Sequence, residues 1–412
     1  MGKLGVGGVT VVACIFAAFL PTREAGAQDF GQTWIDRITH ELEQERGPLQ
    51  PKPFNWTAEV GVNYAFDNNV FLTQRDKQSD SIIIPFVQAG FTYGEPRFDI
   101  EAKLLADYKF YSSEDADDDE ERVFIRARQT TARWNFEISE IFQHVSDPSG
   151  LLFLDRISRI VSNTIPKAAF DIGRSWGIET SGNLGIVRYE DKTFSAGQEN
   201  NNFSVDFNLV YRTPWAWDGV AQFGYFNINY LTNPDVAGGT PDAFGYYYRV
   251  GYRGEIVQRV TVEALVGYTT IESDFFPTTN TDIDDGTLSA IINIRFEATE
   301  NLNFFLDYAR QYAFQGFGDP WQLLNTFTLY GKYQVTETFA MAARAQYDFS
   351  ESALDLRRSY YSLALNGNLK LTAQWIADLG VTFRGGKIEN TVTNSEEKFT
   401  DFILSAGIAF GF

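Results

Sequence analysis

The chain ends on the stretch FTDFILSAGIAFGF, Phe399–Phe412, and this stretch decides the fold class. Its residues alternate between an apolar set and a set that is small or polar, with Ile403 as the exception. The apolar set is Phe402, Leu404, Ala406, Ile408, Phe410 and Phe412. An extended strand sends alternate side chains to opposite faces. The stretch therefore predicts a strand with one apolar face and one small or polar face.

A soluble β-sandwich can show the same alternation in its last strand. The last residues of the chain distinguish the two folds. The apolar set ends on Phe412. This ending resembles the C-terminal signal of bacterial outer-membrane barrels, which the barrel assembly machinery recognises. We interpret Phe410 and Phe412 as that assembly signal.

The alternation recurs along the chain from Phe54 onward. The clearest apolar runs, taken at every second residue, are Phe54–Tyr64, Val87–Tyr93, Phe98–Phe110, Phe203–Tyr211, Phe244–Tyr252, Val260–Tyr268, Leu288–Phe296, Phe339–Phe349 and Trp375–Phe383. Weaker runs bring the expected number to about 18 strands. One region, 133–155, is irregular, and without a bulge it would place Glu140 on the lipid face.

The connections alternate between short and long. Gly94–Pro96 and Leu371–Gln374 are short, whereas Asp67–Asp80 and Thr270–Gly286 are long and polar. Short periplasmic turns and long extracellular loops are typical of outer-membrane barrels. We therefore predict an all-β fold, a transmembrane antiparallel up-and-down β-barrel over 54–412 in a bacterial outer membrane, with both ends in the periplasm.

Composition excludes other classes. The mean hydropathy is -0.23, and aromatic residues make up 16% of the chain. Beyond the N-terminus no apolar run reaches the roughly 20 residues that a membrane helix needs. The net charge of -20 disfavours nucleic acid as a partner, because phosphates require a basic surface.

Two segments precede the predicted barrel. Residues 1–27 read as a signal peptide with cleavage after Ala27, and lipidation at Cys14 is the alternative, because Val11–Cys14 loosely resembles a lipoprotein box. Residues 28–53 read as a short periplasmic amphipathic helix and linker, ended by Gly47-Pro48. Removal of the signal peptide would leave no cysteine, hence no disulfide.

The set of positions opposite the apolar faces predicts the lumen. It carries charges of both signs, at Lys103, Asp107, Arg126, Arg128, Arg249, Glu263, Arg295, Asp307, Arg344, Asp348, Asp378 and Arg384. Charges on a face without lipid imply a polar interior. Two interpretations stay open: the charges select solutes, or they neutralise one another and brace the wall.

Metal and catalytic signals are weak. The acidic run around Asp117, Asp118 and Asp119 offers hard oxygen ligands without calcium-loop spacing, so a solvated loop is favoured. His144 beside Ser146 and Asp147 is a weak signal for a hydrolase. With no phosphate loop, zinc motif or nucleotide fingerprint, we expect no cofactor and no enzyme.

The first hairpin carries a family resemblance. Thr57–Phe91 reads TAEVGVNYAFDNNVFLTQRDKQSDSIIIPFVQAGF, with D-N-N-V-F at Asp67–Phe71. It resembles the β-barrel porin-2 family of outer-membrane barrels, often associated with exopolysaccharide or capsule secretion. The resemblance implies an outer-membrane barrel and carries no established catalytic role to any residue of this chain. The alginate exporter barrel is similar in size, but its strongly basic lumen is not matched by the mixed charges of this chain.

These observations predict an outer-membrane channel that passes a hydrophilic polymer, as in exopolysaccharide export, or small solutes. A plugged structural or adhesive barrel and an outer-membrane hydrolase are the alternatives. The expected partners are outer-membrane lipid and lipopolysaccharide, the barrel assembly machinery, exopolysaccharide and a periplasmic export component.

Overall fold

The computed structural model describes most of the predicted barrel. The described residues are 54–70, 77–112, 118–145, 158–190, 199–231, 242–273, 283–313, 321–352, 356–390, 393 and 395–411. The predicted signal peptide, the predicted helix and Phe412 lie outside them. No helix in the described ranges is long and apolar enough to cross a membrane.

The described residues form 18 strands. In chain order they are β1 Phe54–Asp67, β2 Asp80–Glu95, β3 Phe98–Tyr111, β4 Asp118–Thr130, β5 Trp134–Val145, β6 Arg159–Ile172, β7 Trp176–Tyr189, β8 Asn200–Arg212, β9 Trp217–Tyr230, β10 Ala243–Val257, β11 Val260–Ser273, β12 Ile283–Thr299, β13 Leu302–Ala313, β14 Gln322–Gln334, β15 Phe339–Ser352, β16 Leu356–Lys370, β17 Trp375–Asn390 and β18 Ser395–Gly411.

Each strand pairs antiparallel with the next along the chain, and β1 pairs with β18 to close the sheet. Closure leaves no free sheet edge, so the ladder hydrogen bonds of each strand are made to neighbouring strands within the barrel. The predicted antiparallel barrel and the predicted strand number are confirmed. Register shifts occur at two periplasmic strand ends, Glu255/Val257 and Glu297/Thr299.

The outer face is apolar over most of its height. Leu379 and Leu288 are 68% and 72% exposed, as befits side chains that contact lipid rather than water. Trp56, Trp134, Trp176, Trp217 and Trp375 all stand on this face at the short-turn end. An apolar band with aromatic residues at its end suits a lipid bilayer, and closed antiparallel barrels of this kind lie in the outer membrane. The chain is therefore an outer-membrane barrel.

The irregular region around Glu140 turns out to be regular. β5 pairs with β4 and β6 without a bulge, so Glu140 lies on the outer face between Ile138 and Phe142. Its carboxylate accepts hydrogen bonds from the Ser162 hydroxyl at 2.6 Å and from the Thr164 hydroxyl. The sequence could not supply these partners, because they lie on the neighbouring strand.

The D-N-N-V segment after β1 closes the seam between the first and last strands. The Asn68 backbone N–H donates to the Phe402 carbonyl at 3.1 Å, and the Phe402 N–H donates to Asn68 Oδ1 at 2.8 Å. Asn69 Nδ2 donates to the Thr400 carbonyl at 3.0 Å, while its own N–H donates to Asp67 Oδ1 at 2.7 Å. These bonds continue the β1–β18 ladder beyond the end of β1. We call Asn68 and Asn69 the seam clasp.

The clasp should stabilise the closed barrel. Asn68→Ala removes the acceptor of the Phe402 N–H, and we expect a loss of about 1–3 kcal/mol of unfolding free energy. The measurement is the temperature at which the folded barrel changes its mobility in SDS electrophoresis. Asn229→Ala, at an exposed outer-face position of β9, is the matched control and should leave that temperature unchanged. Equal behaviour of the two variants would contradict the clasp.

Candidate functional site

The inward positions of the strands line the lumen, which is the candidate site. The twelve residues predicted for the lumen all fall on this phase of their strands. Many are well buried, including Arg249 at 2% and Asp348 at 1% exposure. Buried charges require partners or hydrogen bonds. The partners decide which of these residues are left to act on a solute.

The sector formed by β3 and β4 is a ladder of ion pairs along the barrel axis. Arg128 Nε donates to Asp99 Oδ2 at 2.8 Å, and Arg126 lies 2.9 Å from Glu101. Lys103 also reaches Glu101, at 3.3 Å. The cations of this sector thus lie within ion-pair distance of its carboxylates. Such pairing favours the second of the two interpretations left open above, in which the charges neutralise one another.

The acidic run predicted as a loop is largely part of the barrel wall. β4 begins at Asp118, so Asp118 and Asp119 pair with Lys109 and Tyr108 across the β3–β4 ladder, and Asp117 lies outside the described residues. Glu120 points inward, 1% exposed, where Lys109 and Arg122 both donate to it. From Asp118 onward the run is therefore strand rather than loop, and two inward cations offset the negative charge of Glu120.

A second network joins strands that are not neighbours. The Arg253 guanidinium on β10 donates two hydrogen bonds to the Glu179 carboxylate on β7, one of them 2.7 Å long. The side chains thus reach across the inner surfaces of β8 and β9. Nearby, Arg249 donates to Ser289 Oγ at 2.6 Å and to Gln222 Oε1 at 3.0 Å, and Glu263 accepts from Asn293 at 3.0 Å. Bidentate pairing makes this sector rigid.

The remaining charges lie on β12, β13 and β15–β18. Arg344 donates to Gln346 at 2.7 Å, and Gln346 donates to Asp348 at 2.6 Å. Arg295 lies 5.4 Å from the centre of the Phe305 ring. Asp307 pairs with Asn293 in the β12–β13 register, and Asp378 lies opposite Asn368.

Arg384 links the last strands to the seam. Its guanidinium donates to Asp401 and lies 3.6 Å from Asp67, so one cation is shared by two carboxylates that are 1% and 4% exposed. Both carboxylates belong to strands that meet at the seam.

A cavity of about 330 Å³ lies between β1–β4 and β14–β18. Its lining combines amides with small side chains and both signs of charge. Among the lining residues are Asn63, Gln88, Asp107, Arg122, Tyr330, Arg344, Asn366, Asn368, Asp378, Thr382 and Ser405. Amide and hydroxyl groups can replace the hydration of a polar solute. This cavity is therefore a part of the lumen suited to contact one.

The lumen is not polar throughout, which corrects the expectation from sequence. At the extracellular end, one apolar patch contains Ala65, Val70, Ile82, Ile84, Tyr111 and Ile403. A second contains Ile228, Tyr230, Ala243, Ile271, Tyr312 and Trp321. Apolar side chains at these strand ends pack against one another instead of facing water. Ile403, the exception in the terminal alternation, belongs to the first patch.

His144 has partners that the sequence did not indicate. Ser146 and Asp147, the neighbours considered for it, lie outside the described residues. Instead, Glu121 on β4 lies 2.8 Å from His144 Nδ1, and Ser158, just before β6, lies 2.8 Å from His144 Nε2. No spacing in the sequence signals this group, because strand pairing brings its three members together.

Comparison with known proteins gives a fold-level likeness only. No family model matches the chain, and no curated protein matches it. The FrpB iron transporter of Neisseria meningitidis is 10% identical with a TM-score of 0.45, covering 87% of this chain and 81% of that one. Pseudomonas aeruginosa OpdK with vanillate is 11% identical with a TM-score of 0.45, covering 87% and 99%.

Pseudomonas aeruginosa OccK2 (OpdF) is 10% identical with a TM-score of 0.44, covering 87% and 97%. At these identities and TM-scores, none of the three carries a conclusion about solute or partner to this chain.

The shared guanidinium of Arg384 gives a test of the inner wall. Arg384→Gln leaves Asp67 and Asp401 facing each other, and we expect a loss of about 3–5 kcal/mol in unfolding free energy, measured by urea titration of the barrel in detergent. Adding Asp401→Asn should recover much of the loss. Lys387→Gln, which breaks only exposed pairs with Glu389 and Glu396, should have a small effect. Similar losses in both single variants would show that the shared cation does not stabilise the wall.

Proposed function

We propose that this protein is a passive outer-membrane channel for small hydrophilic solutes. The observation that carries the proposal is the cavity of about 330 Å³ inside a closed barrel, lined by amides, hydroxyls and charges of both signs. A solute crossing a barrel needs groups that replace its water without holding it tightly. The amide-rich wall of β16–β18 and β1 supplies such groups.

The ion pairs would act as the frame of this path. The charges of the ladder on β3 and β4 and of the Arg253–Glu179 pair are engaged in ion pairs, so on this proposal they hold the wall rather than bind a solute. Selection would then come from the width of the cavity and from the charged residues that border it, such as Arg344 and Asp378. Transport in this proposal involves no chemistry.

Export of a polymer is the narrower form of the proposal. It rests on the resemblance of the first hairpin to the porin-2 family. On the same resemblance we propose that the chain is a member of that family. On this form, exopolysaccharide would pass the lumen with the help of a periplasmic export component. For both the small-solute channel and the polymer exporter we propose two further partners. They are lipopolysaccharide around the barrel and the assembly machinery, which would act on Phe410.

A plugged barrel is the second candidate, because the two apolar patches lie at the extracellular mouth. Ala65, Val70 and Ile271 in these patches are at most 1% exposed, so the patches pack tightly. If packing at the mouth closed the path, the barrel would serve as a structural or adhesive protein.

Single-channel conductance in a planar bilayer separates the two candidates. A steady current that added oligosaccharides interrupt is the expected result, with neutral and anionic sugars as blockers. A silent bilayer containing verified folded barrel would sink the channel proposal. Block by small sugars but not by long ones would disfavour polymer export.

The cavity charges give a sharper test within the same recording. Arg344→Gln should shift the reversal potential in a salt gradient towards cation selectivity, because one positive charge leaves the path. Lys387→Gln also removes one positive charge, but from the outer face, and should leave the reversal potential unchanged. If the two variants behave alike, the current does not pass the cavity.

A further inference from the structure

Three polar side chains form a relay on the outside of the barrel. Ser158 Oγ lies 2.8 Å from His144 Nε2, and His144 Nδ1 lies 2.8 Å from Glu121 Oε2. One ring nitrogen therefore contacts a hydroxyl and the other contacts a carboxylate. We call this group the rim triad.

The strand register places the rim triad at the extracellular rim, facing away from the lumen. Glu121 pairs with His144, and His144 pairs with Ile160. These positions share the outer phase of β5 with Trp134, Phe136 and Ile138, which are 43–51% exposed. β5 ends at Val145, one residue beyond His144. The triad therefore lies where the apolar band ends and water begins.

The backbone around the serine is tied to the barrel. The Glu190 N–H donates to the Ser158 carbonyl at 3.1 Å, which fixes Ser158 against the end of β7. The Glu190 carboxylate also lies 3.4 Å from His144 Nε2, farther than the serine hydroxyl. Ser158 is thus the nearer partner of the nitrogen that a general base would use.

The connectivity is that of an activated serine. A carboxylate that accepts the Nδ1 proton fixes the imidazole tautomer and leaves Nε2 as the acceptor for the hydroxyl proton. Such relays are recognised by geometry rather than by sequence order, and they occur on unrelated folds. Here the order along the chain is acid, histidine, serine.

We propose that the rim triad is an ester-hydrolysing site, with Ser158 as nucleophile, His144 as general base and Glu121 as the residue that positions the imidazole. The substrate class is a carboxylic ester of an amphiphile, because the triad faces the boundary between lipid and water. The proposal is independent of the lumen and of the proposed channel.

The reaction balances without a cofactor. Ser158 Oγ bonds to the ester carbonyl carbon while its proton passes to His144 Nε2. The carbon–oxygen bond to the alcohol breaks, and the alcohol leaves with that proton. Water then attacks the acyl-serine, its proton passes through His144 back to Ser158 Oγ, and the carboxylic acid leaves. The net reaction converts an ester and water to an acid and an alcohol.

The wall below the triad suits an acyl chain. Phe142, Ile160 and Ile186 stand on the outer face next to the triad or one step into the membrane. An ester whose carbonyl reached Ser158 from the outer leaflet would lay its hydrocarbon against these side chains. A fully water-soluble ester would gain nothing from them.

Covalent labelling tests the nucleophile directly. The full-length barrel, folded in detergent, is treated with a fluorophosphonate probe, which forms an Oγ–phosphorus bond with loss of fluoride at an activated serine. We expect one labelled site, mapped to Ser158, and its loss in Ser158→Ala. Ser359→Ala, which removes an outer-face serine near the extracellular end of β16, is the matched control and should label like the wild type.

Variants of the relay separate an activated serine from a merely structural group. His144→Ala should lower the labelling rate by about 100-fold or more, because the base is lost. For the wild type, the rate should rise with pH as His144 loses its proton amid Glu121, Glu190 and Asp119. Glu121→Gln should slow labelling and move this pH profile to lower values, whereas Glu190→Gln should keep the serine reactive.

Every variant is first checked for the heat-dependent mobility of a folded barrel. Folded wild-type protein that fails to react with the probe at any pH, or labelling that persists in Ser158→Ala, would overturn the proposal. So would a pH profile that Glu121→Gln leaves unmoved. Unchanged conductance of Ser158→Ala keeps this test separate from that of the channel.

Two substrates test whether the site prefers the ester of an amphiphile to a water-soluble ester. Hydrolysis of a long-chain ester in mixed micelles, with little hydrolysis of a short soluble ester at equal concentration, is the expected result. The opposite preference would overturn the assignment to an amphiphile.

Discussion

Backbone groups that cross lipid must find their hydrogen bonds within the protein, and the rest of this structure depends on that constraint. A sheet meets it only by closing on itself, so β1 has to find β18 across the whole length of the chain. Closure also fixes which side of every strand faces lipid. The two faces then become separate chemical environments, and each residue's role follows from the parity of its position.

Inside the barrel, charge is mostly neutralised by charge. Glu101 holds both Arg126 and Lys103, and Arg253 reaches Glu179 over two intervening strands. Ion pairs of this kind stiffen the wall, and the cavity lined by β1–β4 and β14–β18 offers amides, hydroxyls and charges in the same lumen. The apolar patches at the extracellular mouth are an additional feature. Neither an open channel nor a plugged barrel requires them.

The sequence was sufficient for the barrel and its strand number, because period-2 alternation is local and repeats along the chain. It also placed Glu140 on the outer phase once a regular strand was assumed. The sequence alone did not predict contacts between side chains on different strands. Glu120 was assigned to a loop because the cations of Lys109 and Arg122 could not be brought to it without the register. Ser158 and Glu121 lie 14 and 23 residues from His144 and carry no local signal.

The seam clasp has a consequence for the order of folding. Its two halves are separated by more than 330 residues, since Asn68 meets Phe402 and Asn69 meets Thr400. Contacts of such long range form late, after the entropy of closing the intervening chain has been lost. Until then the growing sheet has two unpaired edge strands that can pair with other chains. The hydrogen bonds of the seam clasp therefore form only after the last strand is in place. A chain that stops before Thr400 would stay an open sheet, exposed to proteases and to aggregation.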